Sequence, residues 1–115
     1  MAVVYLLMIV LSVLALAFMV RLMGRVDPTE AKRLVERGAM LVDLQARQAF
    51  GNSHLPRARN IPLAELPRRL KELGSRDRPV VIYGVGQATN GDAARILRTA
   101  GFRYVHDLGP MSRWE

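Results

Sequence analysis

Cysteine is absent from all 115 residues. That excludes disulfides, zinc or iron–sulfur sites built on thiolates, and every mechanism with a cysteine nucleophile, while leaving the redox compartment open. Histidine is almost as scarce, with only His54 and His106. Neither has another His or a Glu at ligand spacing, so no metal site is expected, and no cofactor. Aromatic residues make up 6% of the chain and none falls within its densest basic run, Arg68, Arg69, Lys71, Arg76 and Arg78. Without stacking platforms that run does not read as a nucleic-acid site, and Glu65, Glu72 and Asp77 interleave it as on a solvated face. Internal repeats and low-complexity tracts are also missing.

What is abundant is unevenly placed. Half of the residues are apolar, and 21 of the first 23 are, with only Ser12 and Arg21 interrupting. As a helix, residues 2–20 reach about 29 Å, one hydrocarbon core. A buried soluble helix would carry a polar stripe, and this segment has none. A cleavable signal peptide is the competing reading, because Ala15-Leu16-Ala17 has small-x-small spacing. Against it, a basic n-region is missing and apolar residues continue to Arg21. We therefore divide the chain into a membrane anchor over 1–23, a linker over 24–26 and one domain over 27–115. Net charge is +7, and Arg21, Arg25, Lys32 and Arg33 all follow the span. The positive-inside rule then puts the domain in the cytoplasm.

Within the domain, Asp27 is a good N-cap and Pro28 a good first residue for a helix over 28–37 that Gly38 stops. Met40 to Leu44 reads as a buried strand, followed by a short helical stretch over 47–50. A helix is expected over 63–73, with Leu63, Leu66, Leu70 and Leu73 on one face and a restart at Pro67. Val80-Val81-Ile82-Tyr83 is the clearest strand. A tight glycine loop follows, Thr89 or Asn90 caps the next helix, Gly101 ends it, and residues 102–106 form a last strand. Such alternation implies a mostly parallel α/β sheet with its ligand site beyond the strand ends at Asp43 and Gly84.

These residues carry a resemblance. The first helix with its Asp43 strand, the stretch Ser53-His54-Leu55-Pro56-Arg57-Ala58-Arg59-Asn60-Ile61-Pro62, the strand ending at Tyr83, and the run from Ala93 to Gly101-Phe102 are similar, in order, to the motifs of the rhodanese-like family. Leu108-Gly109-Pro110-Met111-Ser112-Arg113-Trp114 resembles that family's closing G-G-x-x-x-W. The likeness implies a three-layer α/β domain, here behind one transmembrane helix, as in small single-span proteins of the bacterial inner membrane. It also implies a sulfur-carrying cysteine directly after the strand tyrosine, in a C-x-x-x-x-R loop whose N–H groups and arginine hold the anionic donor.

This chain departs from the family where the chemistry sits. The former active-site loop is Gly84-Val85-Gly86-Gln87-Ala88-Thr89, with glycine at the cysteine position and threonine at the arginine position. Gln45 stands where the family has the arginine beside Asp43, which leaves Asp43 without its usual neighbour. The expected function is a catalytically inactive, membrane-anchored module that binds another membrane protein. The alternative is a sulfurtransferase-related enzyme that borrows a partner's thiol or runs other chemistry in the old loop. Gly86, Gln87, Ala88, Thr89 and Asn90 are candidates for a small-anion cradle at a helix N-terminus, opposed by Asp92 in the first turn. Asp43 and His54 are expected to be buried, hydrogen-bonded supports of that loop. Gly84-x-Gly86 followed by Thr89 lacks the third glycine of a dinucleotide fingerprint, and Asp92-Ala93 stands where a phosphate loop needs Lys-Ser/Thr. Adjacent Ser53 and His54 make no triad by themselves. Oligomeric state is left open.

Overall fold

Val80, Val81, Ile82 and Tyr83 are all buried, and their side chains alternate between two apolar clusters, as the period of a strand covered on both faces requires. In the computed structural model, which describes residues 1–23 and 25–114, this strand (β3, Val80–Tyr83) is central to a four-stranded sheet. Its partners are β1 (Met40–Asp43), β2 (Arg59–Asn60) and β4 (Val105–Gly109), in the order β2-β1-β3-β4, with every pairing parallel.

Val80 and Ile82 join Val42, Ile61, Leu66, Leu73, Ala93, Leu97 and Phe102 under helix α4 (Gln87–Thr99) and two 3-10 helices. Val81 and Tyr83 join Leu41, Leu55 and Leu108 under helix α2 (Pro28–Glu36), whose Ala31 and Val35 point inward. The result is three layers. A short helix, α3 (Arg47–Asn52), follows β1. Asp27 caps α2 by accepting the Thr29 N–H, and Gly38, at φ +106, ends it.

Several elements differ from the sequence reading. The stretch 63–73 is 3-10, over Leu63–Arg68 and Leu70–Leu73, rather than α-helical. Pro67 has no N–H to give, and within each piece the two leucines, 63 and 66 or 70 and 73, are three residues apart, which suits the tighter helix, where i and i+3 eclipse. β2 is a strand of two residues for which the sequence reading assigned no element. α4 begins at Gln87 with Gly86 as its N-cap, so Thr89 and Asn90 lie inside the helix and do not cap it. Asp92 is consequently beyond the first turn, where it pairs with Arg95 at 3.0 Å.

The first element, α1 (Ala2–Met23), is one helix long and apolar enough to cross a membrane, and none of its 2–19 window is buried against the protein. Of the linker expected over 24–26, Gly24 lies outside the described residues. Arg25 forms a parallel bridge with Asp107, and the Val26 N–H donates to the Asp107 carbonyl at 2.9 Å, so these two residues belong to the sheet edge.

Candidate functional site

β1 and β3 are neighbours whose connections leave in opposite directions, to β2 on one side and β4 on the other. The crevice beyond their carboxyl ends is where such sheets place ligands. Here its two walls are Leu44-Gln45, after β1, and Gly84-Val85-Gly86, after β3.

Gly84 lies at φ +143, a conformation that L side chains rarely adopt. Its N–H donates to the Gly109 carbonyl at 3.2 Å, and the Leu44 N–H donates to the Tyr83 carbonyl at 2.9 Å. A Cβ at Gly84 would stand 3.3 Å from Gln45 Cγ, 3.3 Å from the Gln45 nitrogen and 3.3 Å from the Leu44 nitrogen. Two of these three contacts are backbone, so they cannot swing aside.

Asp43 is fully buried, as expected, but it is not without a neighbour. The Gln45 backbone N–H donates to Asp43 Oδ1 at 2.7 Å and the Gln45 side-chain amide donates to Oδ2 at 2.8 Å. Glutamine thus takes the place of the missing arginine and neutralises nothing; it supplies donors only. Asn60 closes the clasp, its amide donating to the Gln45 carbonyl at 2.8 Å and the Asp43 carbonyl at 3.1 Å. From sequence, Gln45 stood out only as a lost arginine and Asn60 only as part of the stretch that carries the resemblance.

His54 departs from expectation. It is exposed, its Nδ1 lies 2.8 Å from the Phe50 carbonyl, and its ring stacks on Phe50 at 3.8 Å. It braces the end of α3 and does not support the glycine loop. With Asp43 committed to Gln45 and His54 to Phe50, Ser53 has no relay, and its hydroxyl points to Met111 Sδ.

Beyond the loop, the first turn of α4 leaves the N–H groups of Gln87, Ala88 and Thr89 without intrahelical acceptors. Gln87 and Ala88 are exposed and Thr89 is half-buried. Asn90 leaves the cradle: its N–H donates to the Gly86 carbonyl, and its side chain is buried facing β4. There the amide donates to Asp107 Oδ1 at 2.9 Å and to the Gly109 carbonyl at 3.3 Å. Asp107 Oδ1 also accepts the Gly109 N–H at 2.8 Å, so Asp107 fastens α4 to β4, a role the sequence did not advertise.

The ionisable groups near the loop are engaged. Burial pushes the Tyr83 phenol well above its ordinary range, Asp43 adds to the rise, and the hydroxyl accepts the Leu55 N–H at 3.0 Å. A shallow depression beside α4, lined by Gln87, Ala88, Gly91, Asp92 and Arg95, carries one internal ion pair. Among the described residues no group of three or more potential metal ligands occurs. The loop offers backbone donors, an exposed Val85 and the hydroxyl of Thr89, and it holds no cysteine, histidine, lysine or carboxylate.

Comparison with known proteins agrees with this geometry. The family model of the rhodanese-like domain matches residues 27–115. The thiosulfate sulfurtransferase GlpE of Pseudomonas syringae is 30% identical over 91 residues, which are 78% of this chain and 85% of that one. The Bacillus subtilis protein YqhL is 35% identical over 79 residues, 68% of this chain; the match spans 62% of YqhL. In three dimensions the crystal structure of the Alr3790 protein from Anabaena superposes with a TM-score of 0.70 at 27% identity, covering 77% of this chain and 83% of that one.

Proposed function

The chain belongs to the rhodanese-like domain family, and from that premise we propose that it is a membrane-anchored module without sulfurtransferase activity that acts by binding a protein partner near the bilayer. The observation that carries this reading is Gly84. It occupies the position of the family's sulfur-carrying cysteine, at φ +143, with the Leu44-Gln45 backbone 3.3 Å from where a Cβ would stand. Sulfur transfer needs a thiolate at the focus of the loop's N–H groups, and this wall leaves no ordinary place for one. The apolar helix α1 supports the anchoring, and its length and composition match one bilayer crossing.

The free N–H groups of Gln87, Ala88 and Thr89 favour a second arm of the reading, in which the loop accepts an anionic group, either a small anion or a side chain of the partner. The test is direct. Full-length protein in detergent is expected to release no thiocyanate from thiosulfate and cyanide above a heat-killed control. Turnover would overturn the inactive reading and favour an enzyme that works through the old loop.

A further inference from the structure

We propose that the domain rests on the bilayer with the end of the sheet where β4 begins, Tyr104 and the guanidinium groups of Arg76, Arg98 and Arg103 lying against anionic lipid headgroups. The Gly84 loop is then turned away from the membrane. The proposal takes α1 as a span, and so rests on the function proposed above.

The tether fixes the position. One residue, Gly24, separates the last residue of α1 from Arg25. Successive Cα atoms are 3.8 Å apart, so Arg25 stays within roughly 8 Å of the end of the helix. Arg25 is in turn joined to the sheet at Asp107. The bridge also has a direction. It is parallel, so the chain through Arg25 and Val26 runs with β4 from Val105 toward Gly109. It therefore arrives from the Tyr104 side and leaves toward the side where Gly109 holds Gly84.

The surface at the arriving side has the composition of a membrane interface. Tyr104 is 50% exposed, and beyond α1 only it and Val85 are exposed large apolar side chains among the described residues. Phenol rings of this kind settle at headgroup level. Three arginines surround it. Arg98 donates to the Val105 carbonyl at 3.2 Å, Arg76 donates to the Ala100 carbonyl at 3.0 Å and lies 4.4 Å over Phe102, and Arg103 meets Asp77 at 3.3 Å. All three are exposed, and Asp77 is the one carboxylate paired among them. On the α2 side Glu30 faces His106, but it is shared with Arg33. An excess of fixed positive charge around an exposed phenol, at the end of the sheet from which the Arg25 tether arrives, matches an anionic lipid surface.

The absence of cysteine makes the test clean, since one introduced thiol is the only label site. Thr99→Cys, exposed near the end of α4 beside Arg98, and Val85→Cys, exposed on the loop, would each be labelled with a fluorophore. The full-length protein would then be reconstituted into phosphatidylcholine–phosphatidylglycerol vesicles containing lipid spin-labelled on its headgroup. Quenching is expected to be several-fold stronger at position 99 than at position 85. It should weaken at position 99 in vesicles of phosphatidylcholine alone, and when Tyr104→Ser, Arg98→Gln and Arg103→Gln are combined. Equal quenching at the two positions, or stronger quenching at 85, would overturn the orientation. Insensitivity to lipid charge and to the triple change would overturn the headgroup contact. Extraction of the protein by alkaline carbonate would instead show that α1 is no span, and both proposals would fall.

Discussion

Asp43 and His54 look equivalent in the sequence, and the structure separates them. Asp43 is fully buried with both oxygens hydrogen-bonded to Gln45, so Asp43→Ala leaves donors unpaired and is expected to cost about 1–3 kcal/mol. His54 is exposed and bonded within its own turn, so His54→Ala is expected to stay within about 0.5 kcal/mol of the parent. Trp114, the only tryptophan, packs beside Lys32 of α2 and reports both changes by its fluorescence during denaturation. Comparable losses from the two variants would contradict the separation. Gly84 yields the sharper expectation. Gly84→Cys would force a side chain into a glycine-type conformation against the Leu44-Gln45 backbone, at a cost of roughly 1–3 kcal/mol. Restoring the family's cysteine should therefore lower the melting temperature. A fully stable Gly84→Cys protein would show that the loop relaxes freely and would weaken the case built on its shape.

At the scale of elements, the two 3-10 helices are tied to their surroundings by charge. Glu72 accepts from Arg69 and, at 3.0 Å, from Arg59 of β2, while Glu65 meets Arg47 of α3 at 2.7 Å. The Arg69 hydrogen bond, chiefly, holds the Glu72 carboxyl down at about 2, from an ordinary value of 4.5. A carboxyl depressed in the folded state favours folding above its unfolded pKa and loses that contribution as the pH falls through its folded value. Stability should thus decline between about pH 4.5 and about pH 2, and Glu72→Gln should flatten that part of the curve. An unchanged acid limb in the variant would assign the decline to other carboxylates. These helices also show where sequence reading reaches its limit. The leucine spacing announced a buried face, but three-residue and four-residue intervals look alike until Pro67 is weighed as a missing donor. β2 was illegible because two residues carry no period, and side-chain bonds from Asn60 hold it as much as its pairing does. β3, with four buried residues in a row, was fully legible. For the site, the missing cysteine could be read directly, whereas the Gln45 clasp could not, because a glutamine replacing an arginine looks like a loss until its donors are seen to reach Asp43.

For the whole molecule, the charge distribution around α1 makes the last prediction. The segment ahead of Arg21 has no ionisable side chain except the Tyr5 phenol, uncharged at neutral pH, while Arg21, Arg25, Lys32 and Arg33 crowd the other flank. In the anchored form proposed above, holding such a flank on the cytoplasmic side is favourable. In that anchored form, the bridge from Arg25 to Asp107 keeps the folded domain on the same side of the bilayer as the end of α1. Protease added to intact spheroplasts is therefore expected to spare residues 27–115 and to degrade them once the membrane is opened. The N-terminal sequence of the mature protein is expected to retain α1. Degradation of the domain in sealed spheroplasts would reverse the orientation. A mature chain beginning at Phe18 would show that Ala15-Leu16-Ala17 is a cleavage site and would release the domain from the bilayer altogether.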